Sequence, residues 1–583
     1  MQNNKEFVPY ISADKITPEL TATSVVTGII LSVIFGAANA YLGLKVGLTV
    51  SASIPAAVAS MGIIRMAMKR NSVLESNIVQ TMGSAGESVA AGAVFTLPAL
   101  FLWAKEGKAQ APDIAGIILI ALIGGLLGVF FMVPLRNALI VKEHSVLPYP
   151  EGTACAEVLL SGEKDKSNAS GIFIGSGIAA LIKILIDGIK LLPSEISFRF
   201  RSFAGEIGAQ ISPAVFSVGY ICGPKISSYM FGGGILGWLV IIPLIVLFGE
   251  NLTLFPSETP IGEMYINGGA SAIWSSYIRY IGAGALASGG IISLIKSMPM
   301  IIRTFKDTLS DIGSKITSDK RTDKNISIQT VLIAVILLTV AVWLVPAIPI
   351  SLIGAVIVVV FGFFFAAVSS RMVGLVGSSN NPVSGMAIAT LLVATVILKL
   401  SGAANAEILT GSIAIGSVIC IIAAISGDTS QDLKTGYILG STPRKQQIAE
   451  IIGVVASAFA TGGTLYLLNN VWGFGTDNLA APQATLMKII VEGVADNNLP
   501  WNLVLIGVFI TVVAEVTGIP VLPFAIGLYL PIHLSACVML GGIVKFISDK
   551  IKPQSTKGTL FCSGMIAGEG LAGIFLALVA VFR

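Results

Sequence analysis

Acidic side chains inside long apolar stretches are the residues of this sequence best placed to do chemistry. Glu87 carries the only charge in the apolar run 76–102, and Asp428 comes just after the run 407–426. Inside a bilayer a charge costs about 2.5–3.5 kcal/mol on insertion scales, and burial favours the protonated carboxyl group. Neutralisation by a nearby lysine is the simpler interpretation. The acidic residues that we predict to carry protons are Glu87, Glu151, Glu157 and Asp428.

Two polar breaks in the apolar pattern could bind a ligand. In the segment 148–161, two prolines and a glycine would begin or unwind a helix, and the freed backbone N–H groups attract carboxylates. In the segment 378–385, asparagine amides can donate and accept, and Arg371 could pair with a carboxylate. A capping loop and a plain polar turn are the simpler alternatives. The predicted ligand-contacting residues are Tyr149, Gly152, Thr153, Arg371, Asn380, Asn381, Asp432, Asn39 and Tyr41.

The composition places these residues in a membrane. The chain of 583 residues is 54% hydrophobic and only 12% charged, with a mean hydropathy of +0.87. A soluble chain carries about 25% charge, so an α-helical membrane protein is predicted. The net charge of +4 gives no indication of nucleic-acid binding. Two histidines and five scattered cysteines without a CxxC pair favour no metal site and no cofactor.

The elements that must position these residues are long apolar helices. We predict an all-α fold with about 15–16 transmembrane helices. The segments 148–161 and 523–544 are ambiguous, and their prolines favour re-entrant or broken helices. The predicted spans lie near residues 22–44, 46–66, 76–102, 113–135, 170–192, 208–230, 232–249, 277–297, 328–346, 350–370, 373–399, 407–426, 448–470, 501–519 and 558–582.

The distribution of Lys and Arg predicts the orientation. If neither ambiguous segment crosses, the basic patches share one face, which the positive-inside rule places in the cytoplasm together with the N-terminus. Lys190, Arg199 and Arg201 are exceptions that fall on the other face. We therefore expect a multi-pass protein of the cytoplasmic (inner) membrane.

A weak internal repeat runs through the chain. Four short matches occur in the same order in both halves, and an odd number of predicted spans separates the copies, which would invert them. Inverted repeats with paired broken segments are typical of secondary transporters. The matches pair 47–55 with 374–382, 83–92 with 427–436, 146–152 with 521–527, and 171–177 with 558–564.

The repeat and the spans together predict four regions. A cytoplasmic N-terminal segment precedes the first repeat, peripheral helices with a basic cytoplasmic loop (296–325) follow it, and the second repeat completes the chain. The predicted bounds are 1–21, 22–190, 191–346 and 347–583.

Several motifs carry a resemblance to a known family. They are Phe35-Gly36-x2-Asn39-x-Tyr41-x-Gly43-Leu44-Lys45, Tyr149-Pro150-Glu151-Gly152-Thr153-Ala154-x-Ala156, Ser379-Asn380-Asn381-Pro382 and Ser426-Gly427-Asp428-x3-Asp432-Leu433-Lys434-x-Gly436-Tyr437. With these motifs the chain resembles the oligopeptide transporter (OPT) family, nearest to bacterial members close to the yellow-stripe-like branch. The resemblance implies about 16 spans and proton-coupled import of small peptides, glutathione-like compounds or metal chelates. The peptide-transporting branch shows Asn-Pro-Gly where this chain has Asn-Pro-Val-Ser-Gly.

Four functions follow as hypotheses. The leading one is proton-coupled symport of short peptides, such as tri- to pentapeptides or glutathione-like compounds, by alternating access. The second is uptake of metal chelates, and the third is a membrane-embedded enzyme on lipid-linked substrates, for which Asp428 and Asp432 are the only suitable pair. A passive channel is the fourth. A transporter rather than an enzyme is expected, with peptide, protons and bilayer as partners and a homodimer left open.

Overall fold

The computed structural model describes most of the chain. The predicted ligand residue Asn380 and most of the basic loop 296–325 lie outside the described residues. The structure describes residues 7–47, 49, 51–68, 72–162, 169–200, 203–255, 257, 259–282, 284, 285, 288, 289, 292, 295, 296, 299, 320–378, 381, 383–476, 478–495, 500–551 and 557–581.

Helices dominate these described residues. The only described sheet is one antiparallel hairpin of two strands, β1 (Glu195–Arg199) and β2 (Glu206–Gln210). The helices are α1 (Ala22–Val46), α2 (Ser53–Met68), α3 (Val73–Val94), α4 (Pro98–Lys105), α5 (Ile114–Arg136), α6 (Pro150–Gly162), α7 (Ala169–Lys183), α8 (Pro213–Ile235), α9 (Ile242–Gly249), α10 (Ile261–Ile273), α11 (Ile328–Leu344), α12 (Leu352–Val376), α13 (Val383–Leu400), α14 (Asn405–Leu439), α15 (Pro443–Trp472), α16 (Pro482–Ala495), α17 (Trp501–Val516), α18 (Val521–Tyr529), α19 (Ile532–Ile551) and α20 (Lys557–Val581).

The predicted all-α membrane fold is confirmed, with fewer long spans than expected. Within the described residues, 11 helices are long and apolar enough to cross a membrane. The predicted spans 208–230 and 232–249 fall within one helical stretch, Pro213–Gly249, which is broken at Gly223, where φ is 83°. The run 46–66 is largely replaced by the short α2, because the chain leaves α1 at Gly47 in a left-handed conformation.

The two ambiguous segments fold differently from each other. The segment 148–161 forms the 13-residue helix α6, which is too short to span a bilayer of about 30 Å. The segment 523–544 is divided at Pro531 between α18 and α19, because proline lacks the N–H that would continue the helix. Of the two parts, α19 is long enough to cross.

The first three helices form a unit that we call the first triplet. Helices α1 and α3 run parallel: Thr21 donates a hydrogen bond to Glu75 at one end (2.7 Å), and Gly43 packs against Val94 at the other. Helix α2 returns between them. Ser53 begins α2 beside Ser84, in the middle of α3.

Helices α12, α13 and α14 form a second triplet of the same design. Helices α12 and α14 run parallel, with Gly354 packed on Ile415 near one end and Gln431 donating to the Val373 carbonyl near the other (2.8 Å). Helix α13 runs back between these ends. It follows Gly377, which has a positive φ of 86° that glycine tolerates best.

The two triplets are inverted relative to each other. Helices α3 and α14 are antiparallel, because Gly92 packs against Ile421 while Gln80 contacts Asp432. In the match of 83–92 with 427–436, Ser84 is equivalent to Asp428, and these two side chains form a hydrogen bond with each other. This contact lies where the two triplets cross.

The structure corrects the predicted counterpart of α6. Tyr149 and Ala481 both have positive φ, 48° and 46°, and both donate a backbone hydrogen bond to a triplet, to Gly374 and Leu44 respectively. Proline opens the helix that follows in each case. Helix α16 is therefore the counterpart of α6. The predicted partner segment 521–527 instead packs on α8, with Gly527 against the Met230 carbonyl.

The match of 171–177 with 558–564 is also not supported as an inverted pair. Helices α7 and α20 run parallel, since Gly564 packs on the Ile172 carbonyl and Gly568 on the Ser176 carbonyl. Glycine and serine recur in these two helices because small residues allow backbones to approach closely in membranes. Their similarity therefore reflects packing.

Candidate functional site

Four carboxyl groups meet where the two triplets cross, and we call them the acid cluster. Glu87 comes from α3, Asp428 and Asp432 from α14, and Glu450 from α15. Each side chain is at most 5% exposed. In the described part of the chain, none of the four forms an ion pair with lysine or arginine. The cluster thus concentrates acids that have only neutral or acidic neighbours.

Asp428 is held by hydroxyl groups of both triplets. Ser84 donates to one of its oxygens, and Ser53, at the start of α2, lies 3.5 Å from the other. From the second triplet, Ser378 donates at 3.3 Å. Asp428 is therefore a hydrogen-bonded junction between the two inverted units.

Asp432 and Glu450 form a pair of neighbouring carboxyl groups. Gln80 donates to one oxygen of Asp432 (2.5 Å), and the other oxygen faces Glu450. Beyond this mutual contact, both Glu450 oxygens and Asp432 Oδ2 are buried without another hydrogen-bond partner. Two carboxylates cannot share such a site while both are ionised, and one proton between them forms a hydrogen bond.

Glu87 faces a small polar cavity of about 80 Å³ together with Asp428. Its carboxyl group accepts a hydrogen bond from the backbone N–H of Ala52, next to the start of α2. Asn381 lines the same cavity; its amide nitrogen donates to Ser369 (2.7 Å). Glu151, at the start of α6, interacts electrostatically with Glu87 and Asp428. Predicted residues from four separate stretches therefore come together here.

The other predicted residues of the 148–161 segment shape the backbone. The Gly152 N–H donates to the Gln431 side chain (2.8 Å), and a Cβ at Gly152 would collide with the Gln431 carbonyl. The Thr153 hydroxyl donates to the Pro148 carbonyl (2.7 Å). The Tyr149 hydroxyl is buried and donates to a backbone carbonyl of α12. These contacts fix the start of α6 against α14.

Two predicted residues lie away from the acid cluster. Arg371 pairs with Glu143 at 2.7 Å, near the loop before α6. Glu157 points away from the cluster, and its side chain is exposed, unlike those of the four clustered acids. The spacing of six residues between Glu151 and Glu157 places them on different faces of α6, so one helix cannot bring both to the same site.

A second polar centre surrounds Tyr41, and we call it the lysine centre. Lys45 and Lys183 both donate to the Tyr41 hydroxyl, at 3.2 and 3.0 Å. Lys45 lies 3.4 Å from Glu569, and Lys183 forms an ion pair with Asp187. Asn39, also predicted to contact ligand, is buried on α1 and faces a separate small cavity beside Ser51 and Ala52. In contrast to the acid cluster, every charge here has an opposite charge beside it.

The lysine centre borders a cavity of about 730 Å³. Helix α7, the β hairpin and the loops before α8 and α19 form its walls, together with aromatic side chains. Cavities of roughly 300–1,000 Å³ commonly hold small ligands. Residues that line it include Tyr41, Lys45, Lys183, Trp238, Trp274 and Trp472.

Sequence reasoning missed parts of both centres. Glu450 lies inside the predicted span 448–470 and is a lone charge there, the same signal that identified Glu87. Lys45 looks like the end of a span, and Lys183 like half of an i,i+4 ion pair with Asp187; the ion pair is present. The sequence gives no signal that two lysines from different helices meet at one tyrosine.

Comparison with known proteins places the whole chain in one family. The family profile described as "OPT oligopeptide transporter protein" matches residues 19–580. A Haemophilus influenzae protein named "Putative oligopeptide transporter" is 33% identical over 599 aligned residues, covering 92% of each chain. The "Probable metal-nicotianamine transporter YSL8" of Arabidopsis thaliana is 23% identical, covering 97% of this chain and 86% of its own.

A fungal relative extends the range of similar proteins. The "Putative oligopeptide transporter YGL114W" of Saccharomyces cerevisiae is 22% identical, covering 95% of each chain. The bacterial relative is thus more similar than this fungal one and the plant one, in agreement with the resemblance seen in the motifs. The chain belongs to the OPT oligopeptide transporter family, whose members are membrane transporters of peptide-like compounds and not enzymes.

Proposed function

We propose that this transporter is a proton-coupled symporter that imports short peptide-like compounds by alternating access. The observation that carries the proposal is the acid cluster, which lies at the crossing of the inverted triplets without a cationic partner among the described residues. Buried carboxylates without a compensating charge are costly, and binding a proton removes the charge. The cluster is therefore a suitable site for proton binding.

Asp428 offers a way to couple the proton to movement. As a carboxylate, Asp428 accepts hydrogen bonds from Ser84 of the first triplet and Ser378 of the second. When Asp428 is protonated, it accepts fewer hydrogen bonds, and the junction between the triplets weakens. A proton would then shift the balance between two arrangements of the triplets, as alternating access requires.

The orientation and location of the transporter are part of the same proposal. Glu19, just before α1, pairs with Arg321 at 3.1 Å and Lys445 at 3.3 Å. Basic residues therefore gather at the end of the molecule where α1 begins. The positive-inside rule supports an N-terminus in the cytoplasm and residence in the inner membrane. The homodimer and the repeat boundaries stay predictions.

Uptake of a metal chelate is the second candidate. Several of the similar proteins, among them YSL8, are named metal-nicotianamine transporters and align over nearly the whole chain. A chelate of that kind shares carboxylate and amino groups with a peptide. The same cavity and proton site would serve either ligand.

The test is transport by the full-length protein reconstituted in liposomes. An inward proton gradient is applied, and accumulation of a tripeptide, glutathione or an iron chelate is measured with and without a protonophore. Gradient-driven accumulation supports symport, and the ligand that accumulates distinguishes the two candidates. Equal accumulation with and without the gradient would contradict proton coupling. Asp549→Asn is the matched control for Asp428→Asn, because Asp549 is a paired aspartate far from the cluster.

A further inference from the structure

We propose that the lysine centre binds a carboxylate group of the ligand, with Lys45 and Lys183 as its two donors. The inference deepens the proposed function, since it rests on that function for the claim that the bound molecule is then transported. The lysines are nearly buried, yet both line the 730 Å³ cavity. The site therefore combines desolvated positive charge with space for a ligand.

Both lysines can donate a further hydrogen bond. An ammonium group has three N–H donors. Lys45 uses two, for Tyr41 and Glu569, and Lys183 also uses two, for Tyr41 and Asp187. Among the described residues, no other group takes the third donor of either lysine, which leaves one donor on each for a group in the cavity. A carboxylate, with two oxygens, can accept from both.

Glu569 is shared between Lys45 and the start of α8. Its carboxylate accepts from the Ser212 hydroxyl at 2.8 and 2.9 Å and from the Ala214 N–H at 2.7 Å, while Lys45 lies farther away at 3.4 Å. Ser212 and Ala214 form the start of α8, where the helix dipole favours a negative charge. The Glu569 carboxylate is thus shared between the start of α8 and Lys45, and Lys45 keeps an N–H donor with which it can bind a second anion.

The rest of the cavity fits a molecule that also carries an amino group and side chains. Asp187 and Glu195 line it and can attract an ammonium group, and Trp238, Trp274 and Trp472 offer apolar surface. This arrangement suits the zwitterionic backbone of a peptide. An aminopolycarboxylate metal chelate presents the same carboxylate and is the other source of that group.

The test is binding to the purified full-length protein in nanodiscs, without a proton gradient, by calorimetry. The probes are trialanine and its C-terminal amide, and an iron aminopolycarboxylate chelate and its methyl ester. Because a charge-assisted hydrogen bond contributes about 1.5–3 kcal/mol, the free acid of the true ligand should bind roughly 10- to 100-fold more tightly than its neutral form. Lys183→Met should abolish that preference.

A matched control comes from Lys545. It forms an i,i+4 ion pair with Asp549 and lies over the ring of Tyr220 at 5.3 Å, much as Lys183 pairs with Asp187 and lies over Tyr41 at 5.4 Å. Lys545→Met should keep the full preference for the acid.

Binding measurements test the carboxylate site, and uptake measurements test the proposed function. If the wild-type protein shows no acid preference with either probe pair, or if the preference survives in a folded Lys183→Met variant, the carboxylate site is wrong. Lys183→Gln, which can keep the hydrogen bond to Tyr41, replaces Lys183→Met if the latter does not fold. The wild-type protein could prefer the acid, and Lys183→Met could lose that preference, while no gradient-driven uptake is seen. That result would support the carboxylate site and contradict only the proposed proton coupling.

Discussion

The acid cluster and the lysine centre are two buried polar regions in which the cost of burying charged groups is reduced in different ways. At the lysine centre each charge has a partner, such as Lys183 with Asp187, and the adjoining cavity measures about 730 Å³. The acid cluster holds carboxyl groups without a described cation, around a cavity of about 80 Å³. Paired charges are stable over a wide pH range, whereas unpaired carboxyl groups depend on protons. We therefore propose that the ligand and the proton are bound in different regions.

Replacing the junction residue should have the largest effect. In Asp428→Asn the side chain keeps its size but no longer exchanges a proton, so we expect proton-driven accumulation to fall to the level of empty liposomes. Ligand binding at the lysine centre should persist. Uptake assays and calorimetry on the same preparation measure both. If binding were lost as well, the two regions would not be separable in the way proposed.

Removing one lysine should weaken binding without changing the response to pH. In Lys45→Met, loss of a charge-assisted hydrogen bond should raise the KM for uptake by about 10-fold or more. The dependence of uptake on external pH should match that of the wild-type protein, since Lys45 is not part of the acid cluster. A shifted pH profile in this variant would show that the lysine centre takes part in proton coupling.

Two buried glutamates allow a sharper test of the electrostatic contrast. Glu450 lies beside Asp432 and has no cationic partner among the described residues, while Glu492 contacts Lys108 at 2.6 Å and Lys488 at 3.3 Å. Glu450→Gln removes the need for a shared proton and should raise the thermal unfolding temperature at alkaline pH, by the equivalent of about 1 kcal/mol. Glu492→Gln should lower it, because Lys108 and Lys488 lose their buried acidic partner and keep only the more exposed Glu106 among the described acids. Opposite signs, measured in detergent at several pH values, would support the contrast; equal signs would contradict it.

The exposed glutamate should matter least. Glu157 lies outside the acid cluster, and a surface substitution usually changes stability by less than about 0.5 kcal/mol. We therefore expect Glu157→Gln to change uptake by less than about 2-fold. Its measured pH profile should overlay that of the wild-type protein. A large loss would return Glu157 to the set of proton-carrying residues.

Composition and the positions of the carboxyl groups predict the class of the protein and two members of the acid cluster. Low charge and long apolar runs require a membrane, and carboxyl groups within those runs are costly enough to indicate function. That reasoning identified Glu87 and Asp428, which the structure brings to one cavity. The motifs also indicated the family that the comparisons confirm.

Helix packing, by contrast, determines which repeats are true counterparts and which charges meet. Short matches of glycine, serine and proline cannot separate common origin from common packing, so α6 was matched with 521–527, whereas its backbone contacts make α16 its counterpart. Likewise, Lys45 and Lys183 are far apart along the chain and meet at Tyr41 only because α1 and α7 approach there. Local sequence sets the cost of burying a charge, but the partner that offsets this cost comes from a distant segment, and only the packed fold brings the two together.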